Sequence, residues 1–568
     1  MRTPLIRETA KLAALALFAL TLASALQASP APMPAAPANA SDAIDTLVKK
    51  SYLAGSPGAA VIAVRDGKVI YRKAVGMADL ELDVPLRPDS VFRLASVTKQ
   101  FTAVAILMLA EEGELALSDP ITKFLPDYPT QGHVITVEHL LTHTSGIQNY
   151  TAMPSWLATK SQSDLSPTEL IDGFKREPME FAPGTRFSYA NSGYALLGAI
   201  IEKSSGTPWA TFLKRRIFAP LGMRSTTYGK QAEIVPRRVH GYSRGDGGDS
   251  NARYLSITMS YAAGGLVSTV DDLAAWDAAL YTEKVASQAS LQKAWTPYVL
   301  ADGKATTYGY GWTVSSLRGR PTVEHGGGIF GFSTYVLRVP KERVFVAVLC
   351  NSDAPKTDPG IVARKMAALV LGDPFPENAA VTVAPEVLAR YAGVYEIDRN
   401  SRRTVTTEGS RIFTQQTGAV SAEAKPSSAT EFFYENSITT FRFVTGPDGR
   451  ATEMLMYANG TDTPERAVRV ADVPVAPKEI HIDPALYDAY AGAYELMPGF
   501  ILAVTREGDR LMTQATGQQK LEIFPSSETE FFLKVVDARI TFVKGPDGQV
   551  DVIVLHQGGR DMPAKRKR

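Results

Sequence analysis

Apolar positions follow different periods in different parts of the chain. Val61-Ile62-Ala63-Val64 and Val69-Ile70-Tyr71 flank Arg65-Asp66-Gly67-Lys68, which predicts two strands joined by an Asp-Gly turn. Phe101 to Leu109 is apolar but for Thr102 and long enough to form a buried helix. Ser192 to Lys203 (SGYALLGAIIEK) predicts a second helix, closed by Ser204-Ser205-Gly206. Tyr335 to Val339 and Arg343 to Leu349 read as adjacent strands, with Cys350 a buried strand residue at the end of the second. Strands at both ends of residues 41–373 with helices between them predict an α+β unit, one sheet carrying a helical insertion.

Beyond this region the texture changes to short alternating segments, and the chain repeats itself. Tyr391-Ala392-Gly393-Val394-Tyr395-Glu396 recurs as Tyr490-Ala491-Gly492-Ala493-Tyr494-Glu495. Pro426-Ser427-Ser428 with Glu431-Phe432-Phe433 recurs as Pro525-Ser526-Ser527 with Glu530-Phe531-Phe532, and Gly446-Pro447-Asp448-Gly449 as Gly545-Pro546-Asp547-Gly548. Every match lies 99 positions after its first copy (391 to 490, 426 to 525, 446 to 545), so one module is present twice without net insertion. Turn signals between segments such as Ile540-Thr541-Phe542-Val543 and Val550-Asp551-Val552-Ile553-Val554 give about eight short strands per copy. Closure removes exposed sheet edges, so each copy, 384–472 and 483–562, is expected to be a small antiparallel β-barrel.

The ends of the chain and its composition narrow the setting. Arg2, Arg7 and Lys11 precede the apolar run Leu12–Leu22, and small residues follow, with Ala25 and Ala28 as candidate cleavage points. This pattern predicts a secretory signal peptide over 1–28, followed by a Pro/Ala-rich linker over 29–40, and hence a periplasmic or secreted protein. The apolar run falls short of the roughly 20 residues a membrane span needs. Lys+Arg number 60 and Asp+Glu 59 in 568 residues, a balance that gives no electrostatic reason for nucleic acid or an anionic membrane as partner. The single cysteine excludes an intramolecular disulfide. The basic tail Lys565-Arg566-Lys567-Arg568 is expected to be a solvated, disordered end.

Candidate chemistry begins at Phe92-Arg93-Leu94-Ala95-Ser96-Val97-Thr98-Lys99, where the first helix should start. Ser96 and Lys99 share a helix face one turn apart. A serine hydroxyl needs a nearby base, and a lysine serves as one when burial lowers its pKa. Taken alone, the pair is weak evidence and reads more readily as a helix cap followed by a solvated lysine. A second segment, Phe187-Ser188-Tyr189-Ala190-Asn191-Ser192, precedes the second helix, where Asn191 could be a cap. A third, Thr322-Val323-Glu324-His325-Gly326-Gly327-Gly328-Ile329-Phe330-Gly331, could be a glycine-rich hairpin.

In this order the three segments resemble the signature of the penicillin-recognising serine hydrolases, the β-lactamase and penicillin-binding-protein superfamily: S-x-x-K, then Y-x-N, then a K-T-G-type triplet. His325-Gly326-Gly327 is similar to the H-x-G form of the class C-like branch, which holds D-aminopeptidases, DD-peptidases and esterases. Leu140-Leu141-Thr142-His143-Thr144-Ser145-Gly146, Ala263-Gly264-Gly265-Leu266 and Tyr308-Gly309-Tyr310-Gly311-Trp312 also resemble that branch. The paired C-terminal modules resemble the lipocalin-like barrels that some relatives carry.

The resemblance implies acyl transfer. Ser96 would be the nucleophile, and Lys99 and Tyr189 would share proton transfer, with the acylation base open between them. Asn191, His325, Gly327 and Gly328 would bind substrate, and the N–H groups of Ser96 and Gly328 would receive the oxyanion. In the family His143 is structural. Where K-T-G offers a fixed cation, His325 is mostly neutral at pH 7, which weakens the case for selecting a substrate carboxylate. Peptides or amides containing D-residues are the leading substrates, with ester or weak β-lactam hydrolysis as alternatives on the same site. A binding or scaffold protein whose barrels carry the function is the rival from another class; the retention of Ser96, Lys99, Tyr189 and Asn191 together argues against it. No cofactor or metal is expected, and no phosphate-loop fingerprint occurs. Homo-oligomerisation is left open.

Overall fold

The computed structural model describes residues 39–568 except 154–155, 157–158, 246, 399–400, 474–477, 498–499, 517, 519, 535, 537, 546–548, 558–559 and 568. The signal peptide and nearly all of the linker expected from the sequence lie outside the described residues.

Six antiparallel strands form the main sheet: β1 (Ala59–Arg65), β2 (Lys68–Val75), β3 (Thr313–Leu317), β4 (Arg320–Ile329), β5 (Phe332–Val339) and β6 (Val344–Cys350). Their order is β3-β4-β5-β6-β1-β2, so the first strand in sequence lies beside the last. The β1–β2 turn takes positive φ at both Asp66 (52°) and Gly67 (72°), the primed turn that the Asp-Gly pair predicts. Every residue of β1 and β6 is buried because helices cover both faces. Side chains alternate between two cores: Val61, Ala63, Val346 and Val348 meet α1 (Ala40–Ser51) and α5 (Pro359–Leu371), whereas Ile62, Val64, Phe345 and Ala347 meet the helical insertion. Cys350 ends β6, fully buried, between Ala59 and Ser333 of the neighbouring strands.

Between β2 and β3 lie the helices. α2 (Thr98–Glu111) is buried from Thr98 through Leu109, as an all-round apolar helix must be. α3 (Asn191–Ser205) ends at Gly206 in the left-handed conformation (φ 64°). α4 (Val270–Ala279) packs on the sheet.

Two closed eight-stranded antiparallel barrels follow, spanning the strands from Gly393–Asp398 to Glu465–Ala471 and from Gly492–Met497 to Arg560–Arg566. The repeated motifs explain themselves here. Tyr395 and Tyr494 each donate a hydrogen bond to the carbonyl of the tyrosine four residues earlier, at 2.6 and 2.8 Å. Those earlier tyrosines, Tyr391 and Tyr490, stack on Phe443 and Phe542 at 4.6 and 4.5 Å. The interiors are packed cores of aromatic and aliphatic side chains.

The basic tail departs from its expectation. Lys565 and Arg566 belong to the eighth strand of the second barrel and pair with Glu495 and Tyr494, and the Lys567 N–H donates to Ala493 O at 2.7 Å. Met562 and Ala564 turn toward the barrel core while Lys565 and Lys567 stay exposed, so the strand closes the sheet edge and still leaves these lysines in solvent. Arg566 also donates to Ala491 O, as Arg469 does to Ala392 O at the same place in the first barrel.

Candidate active site

Ser96 stands on a tight turn. A short strand, Phe92–Arg93, pairs with Leu266–Ser268, and the chain then turns through Ala95 at φ 48°, a left-handed conformation that alanine adopts only under constraint. Ala95–Val97 forms one 3-10 turn and α2 starts at Thr98. Ser96 therefore lies in the 3-10 turn that precedes the α-helix instead of opening it. Strand β4 lies directly against this turn. A Cβ on Gly327 would meet Leu94 O at 2.3 Å and Thr334 Oγ1 at 2.4 Å, so only glycine permits the approach. Thr334 Oγ1 donates to Leu94 O at 2.9 Å and fastens β5 to the same turn. A Cβ on Gly328, one residue on, would face open space.

Lys99 is fully buried, and its three polar contacts are all neutral: Ser96 Oγ at 3.1 Å, Asn191 Oδ1 at 2.8 Å and Ala263 O at 2.8 Å. Its ammonium would also lie over the Tyr189 and Tyr194 rings, at 4.8 and 5.4 Å. Burial pushes its pKa well below the ordinary 10.5. In the free-base form two N–H groups match the two obligate acceptors, Asn191 Oδ1 and Ala263 O, and the lone pair is left for the Ser96 O–H.

Asn191 is the first residue of α3 and does not cap it, since Ala190 is the cap residue and makes no side-chain cap bond. The Asn191 amide is thereby free to donate through Nδ2 to Thr151 Oγ1 at 2.8 Å while its Oδ1 accepts from Lys99. The opposed donors and acceptors fix which way the amide points. Tyr189 lies two residues earlier in an extended segment. Its hydroxyl is buried without a closed hydrogen bond. Burial raises its pKa, and the nearby Ser96 hydroxyl offsets that only in part.

His325 is buried, with Nδ1 2.6 Å from Gly326 O and Nε2 2.8 Å from Tyr308 Oη. The carbonyl must accept, which puts the proton on Nδ1 and leaves Nε2 to accept from Tyr308. Burial, and Lys99 whenever it is protonated, push the His325 pKa down to about 3. His143 is also buried, its Nδ1 accepting from the Ala190 N–H at 3.1 Å and its ring 4.2 Å from that of Tyr189. Its φ is 58°, and its carbonyl accepts from Ser188 N at 2.9 Å, so this turn holds the Tyr189 segment in place.

Thus Ser96, Lys99, Tyr189 and Asn191 converge directly, Gly327 packs on the Ser96 turn, and His325 is hydrogen-bonded to Tyr308 with its ring 6.2 Å from that of Tyr189. Sequence reasoning did not find Thr151, the Ala263 carbonyl or Tyr308 as partners. Ala263 and Tyr308 lay in segments singled out only by resemblance; Thr151 carried no signal. Away from the site, Asp79, Glu81 and His240 place ligand atoms within 4.8 Å of one another, which sequence spacing could not show. Glu81 and His240 are exposed, and such groups are common on surfaces without an ion.

Residues 44–371 match the family described as Beta-lactamase. The chain belongs to that family. Residues 476–566 match a domain of unknown function, DUF3471, which covers the second barrel. Penicillin-binding protein 4* of Bacillus subtilis is 31% identical over 451 residues, covering 75% of this chain and 97% of that protein. A D-aminopeptidase of Gluconobacter oxydans is 28% identical over 331 residues, 57% of this chain and 61% of the relative. Among solved structures, an octameric penicillin-binding protein homologue from Pyrococcus abyssi aligns with a TM-score of 0.54 and 26% identity, covering 76% of this chain and 99% of that one. The D-amino acid amidase of Ochrobactrum anthropi aligns at 0.52 and 27% identity, over 59% and 98%. This beta-lactamase-family chain is a serine hydrolase, with a mixed helix-and-sheet catalytic fold followed by two barrels that fit lipocalin-like modules. Among its described residues no helix is long and apolar enough to cross a membrane.

Proposed function

We propose that this hydrolase cleaves amides or peptides containing D-amino acids through an acyl-enzyme on Ser96. The observation that carries the reading is the buried Lys99 amine, 3.1 Å from Ser96 Oγ and surrounded by neutral groups only. As a free base it takes the Ser96 proton, Oγ attacks the carbonyl carbon, and the N–H groups of Ser96 and Gly328 receive the oxyanion. Tyr189, held protonated by burial, hands its proton to the departing amine as the Lys99 ammonium returns the Ser96 proton to it, so that both groups end acylation as they began. Water then releases the acid from the ester. Asn191 orients Lys99, and His325, neutral and tied to Tyr308, leaves the triplet without a cation for a substrate carboxylate. That favours amide substrates over those recognised by a terminal carboxylate. The relatives named D-aminopeptidase and D-amino acid amidase support D-residues. Esterase EstB of Burkholderia gladioli, 38% identical over 180 residues, keeps ester hydrolysis as a second reading. Export through the segment 1–28 is part of the proposal, with N-terminal sequencing of the mature protein as its check.

The test is turnover by purified residues 41–568 and by Ser96→Ala, on D- and L-alanine p-nitroanilides, a D-Ala-D-Ala peptide, a short-chain nitrophenyl ester and nitrocefin. Turnover of the D-alanine anilide well above its L-isomer, abolished in Ser96→Ala, is expected. Ester-only turnover selects the second reading, and turnover that survives Ser96→Ala refutes both.

A further inference from the structure

Strand β4, which carries His325–Gly328, belongs to a hairpin at the edge of the main sheet, because β3 has no strand beyond it. Gly326, Gly327 and Gly328 have no side chains of their own to pack. What restrains the hairpin from its open side is the first barrel.

The contact runs through one buried guanidinium. Arg364 of α5 and Glu324 of β4 form an ion pair with side chains only 4% and 3% exposed, and Arg364 Nη1 lies 2.5 and 2.6 Å from the two carboxylate oxygens. Arg364 Nη2 donates to Ser316 O on β3, so a single side chain fastens both strands. Its remaining donor, Nε, reaches out of the hydrolase region to Asn459 O of the first barrel at 2.9 Å. A buried pair of this kind is tolerable only when its hydrogen bonds are completed, and the barrel completes this one.

The barrel loop Ala458–Asp462 is shaped for the purpose. Asn459 is left-handed (φ 52°), and its N–H is held by Thr439 Oγ1 at 2.9 Å. At Gly460 (φ 70°) a Cβ would meet the Phe375 ring at 2.4 Å, so this glycine seats the loop on the chain leaving α5. The Asp462 carboxylate accepts from the N–H of Gly319, at the tip of the β3–β4 hairpin. The loop thus grips the hairpin at its tip and, through Arg364, at Glu324. One residue along, His325 points to the opposite face of the sheet.

We infer that the first barrel is a positioning module for strand β4: its Ala458–Asp462 loop, acting through Arg364 and Gly319, sets where His325–Gly328 stand beside Ser96. The inference rests on the substrate-side role proposed above for His325–Gly328. Arg364 is in this sense a positioning residue and touches no reacting atom.

The experiment uses the full chain with Gly460→Val, which drives a branched side chain into Phe375. Hydrogen exchange over 320–329 and over 457–464 is measured alongside kcat and KM on the best panel substrate. Exchange in both segments is expected to rise about ten-fold, with kcat down about ten-fold and KM within about two-fold, the size a sub-ångström misplacement produces. Asp462→Ala, which removes one contact without a clash, should shift the same readouts less, and it carries the test if Gly460→Val fails to fold. Faster exchange in 457–464 with unchanged protection over 320–329 and unchanged kcat overturns the inference. If the wild type shows no Ser96-dependent turnover, the catalytic reading fails by itself, and the exchange data still decide whether docking restrains β4.

Discussion

Lys99 is fully buried and its hydrogen-bond partners are neutral, so desolvation disfavours its charge and its lone pair is well placed toward Ser96. Its depressed pKa has a definite sign in solution. The free base prevails above that pKa, so covalent labelling of Ser96 by a fluorophosphonate should climb with pH and level off well below the ordinary lysine value of 10.5. His325, at about 3, is already neutral through that range and adds no second step. A labelling rate that keeps rising toward pH 10.5 would mean an ordinary lysine and a different base. The Ser96–Lys99 pair was legible because three-residue spacing fixes a shared face. Its link to Asn191 was legible only by resemblance, since no spacing argument joins residues 92 positions apart. The Ala263 carbonyl was invisible for another reason: every residue has one, and only the fold says which is turned inward.

Among elements, α4 and β5 are joined by a second buried pair, Asp277 and Arg338, 2.5 Å apart with side chains 8% and 3% exposed. The Arg338 guanidinium lies over the Trp295 and Tyr281 rings at 4.5 and 4.7 Å. Asp277→Ala would strand this cation, so urea unfolding of the hydrolase region should show a loss of about 3–5 kcal/mol. A loss below about 1 kcal/mol would mean that water or Tyr281 takes over. Helices and strands of this region were readable wherever a run was almost wholly apolar, as in Phe101–Leu109 and Val344–Leu349, because burial on all sides leaves only length to interpret. The turn at Ala95 was not readable, since alanine carries no preference for positive φ and tertiary contacts impose it.

For the whole molecule, the constant offset of the repeat made two equivalent barrels legible, and closure followed from the need to remove edges. The last strand was misjudged because its basic side chains pointed to solvent on composition alone. Its place in the second barrel gives a measurable outcome: deleting residues 560–568 should open the sheet between Gly492–Met497 and Val550–Gln557. Limited proteolysis of that variant is expected to degrade the second barrel while sparing residues 41–472. A second barrel that resists as well as in the intact chain would show the strand to be dispensable.

Cys350 closes the central strand β6 with no exposed surface, and burial pushes its thiol up to about 12. It is the one cysteine in 568 residues. A thiol reagent therefore has nothing to attack until the middle of the sheet comes apart, and its reaction rate at saturating reagent is a clock for that opening, independent of any substrate. With one thiol per chain, oxidation of opened molecules stops at pairs, so a non-reducing gel of stressed protein should show a doublet of monomer and dimer, never a ladder.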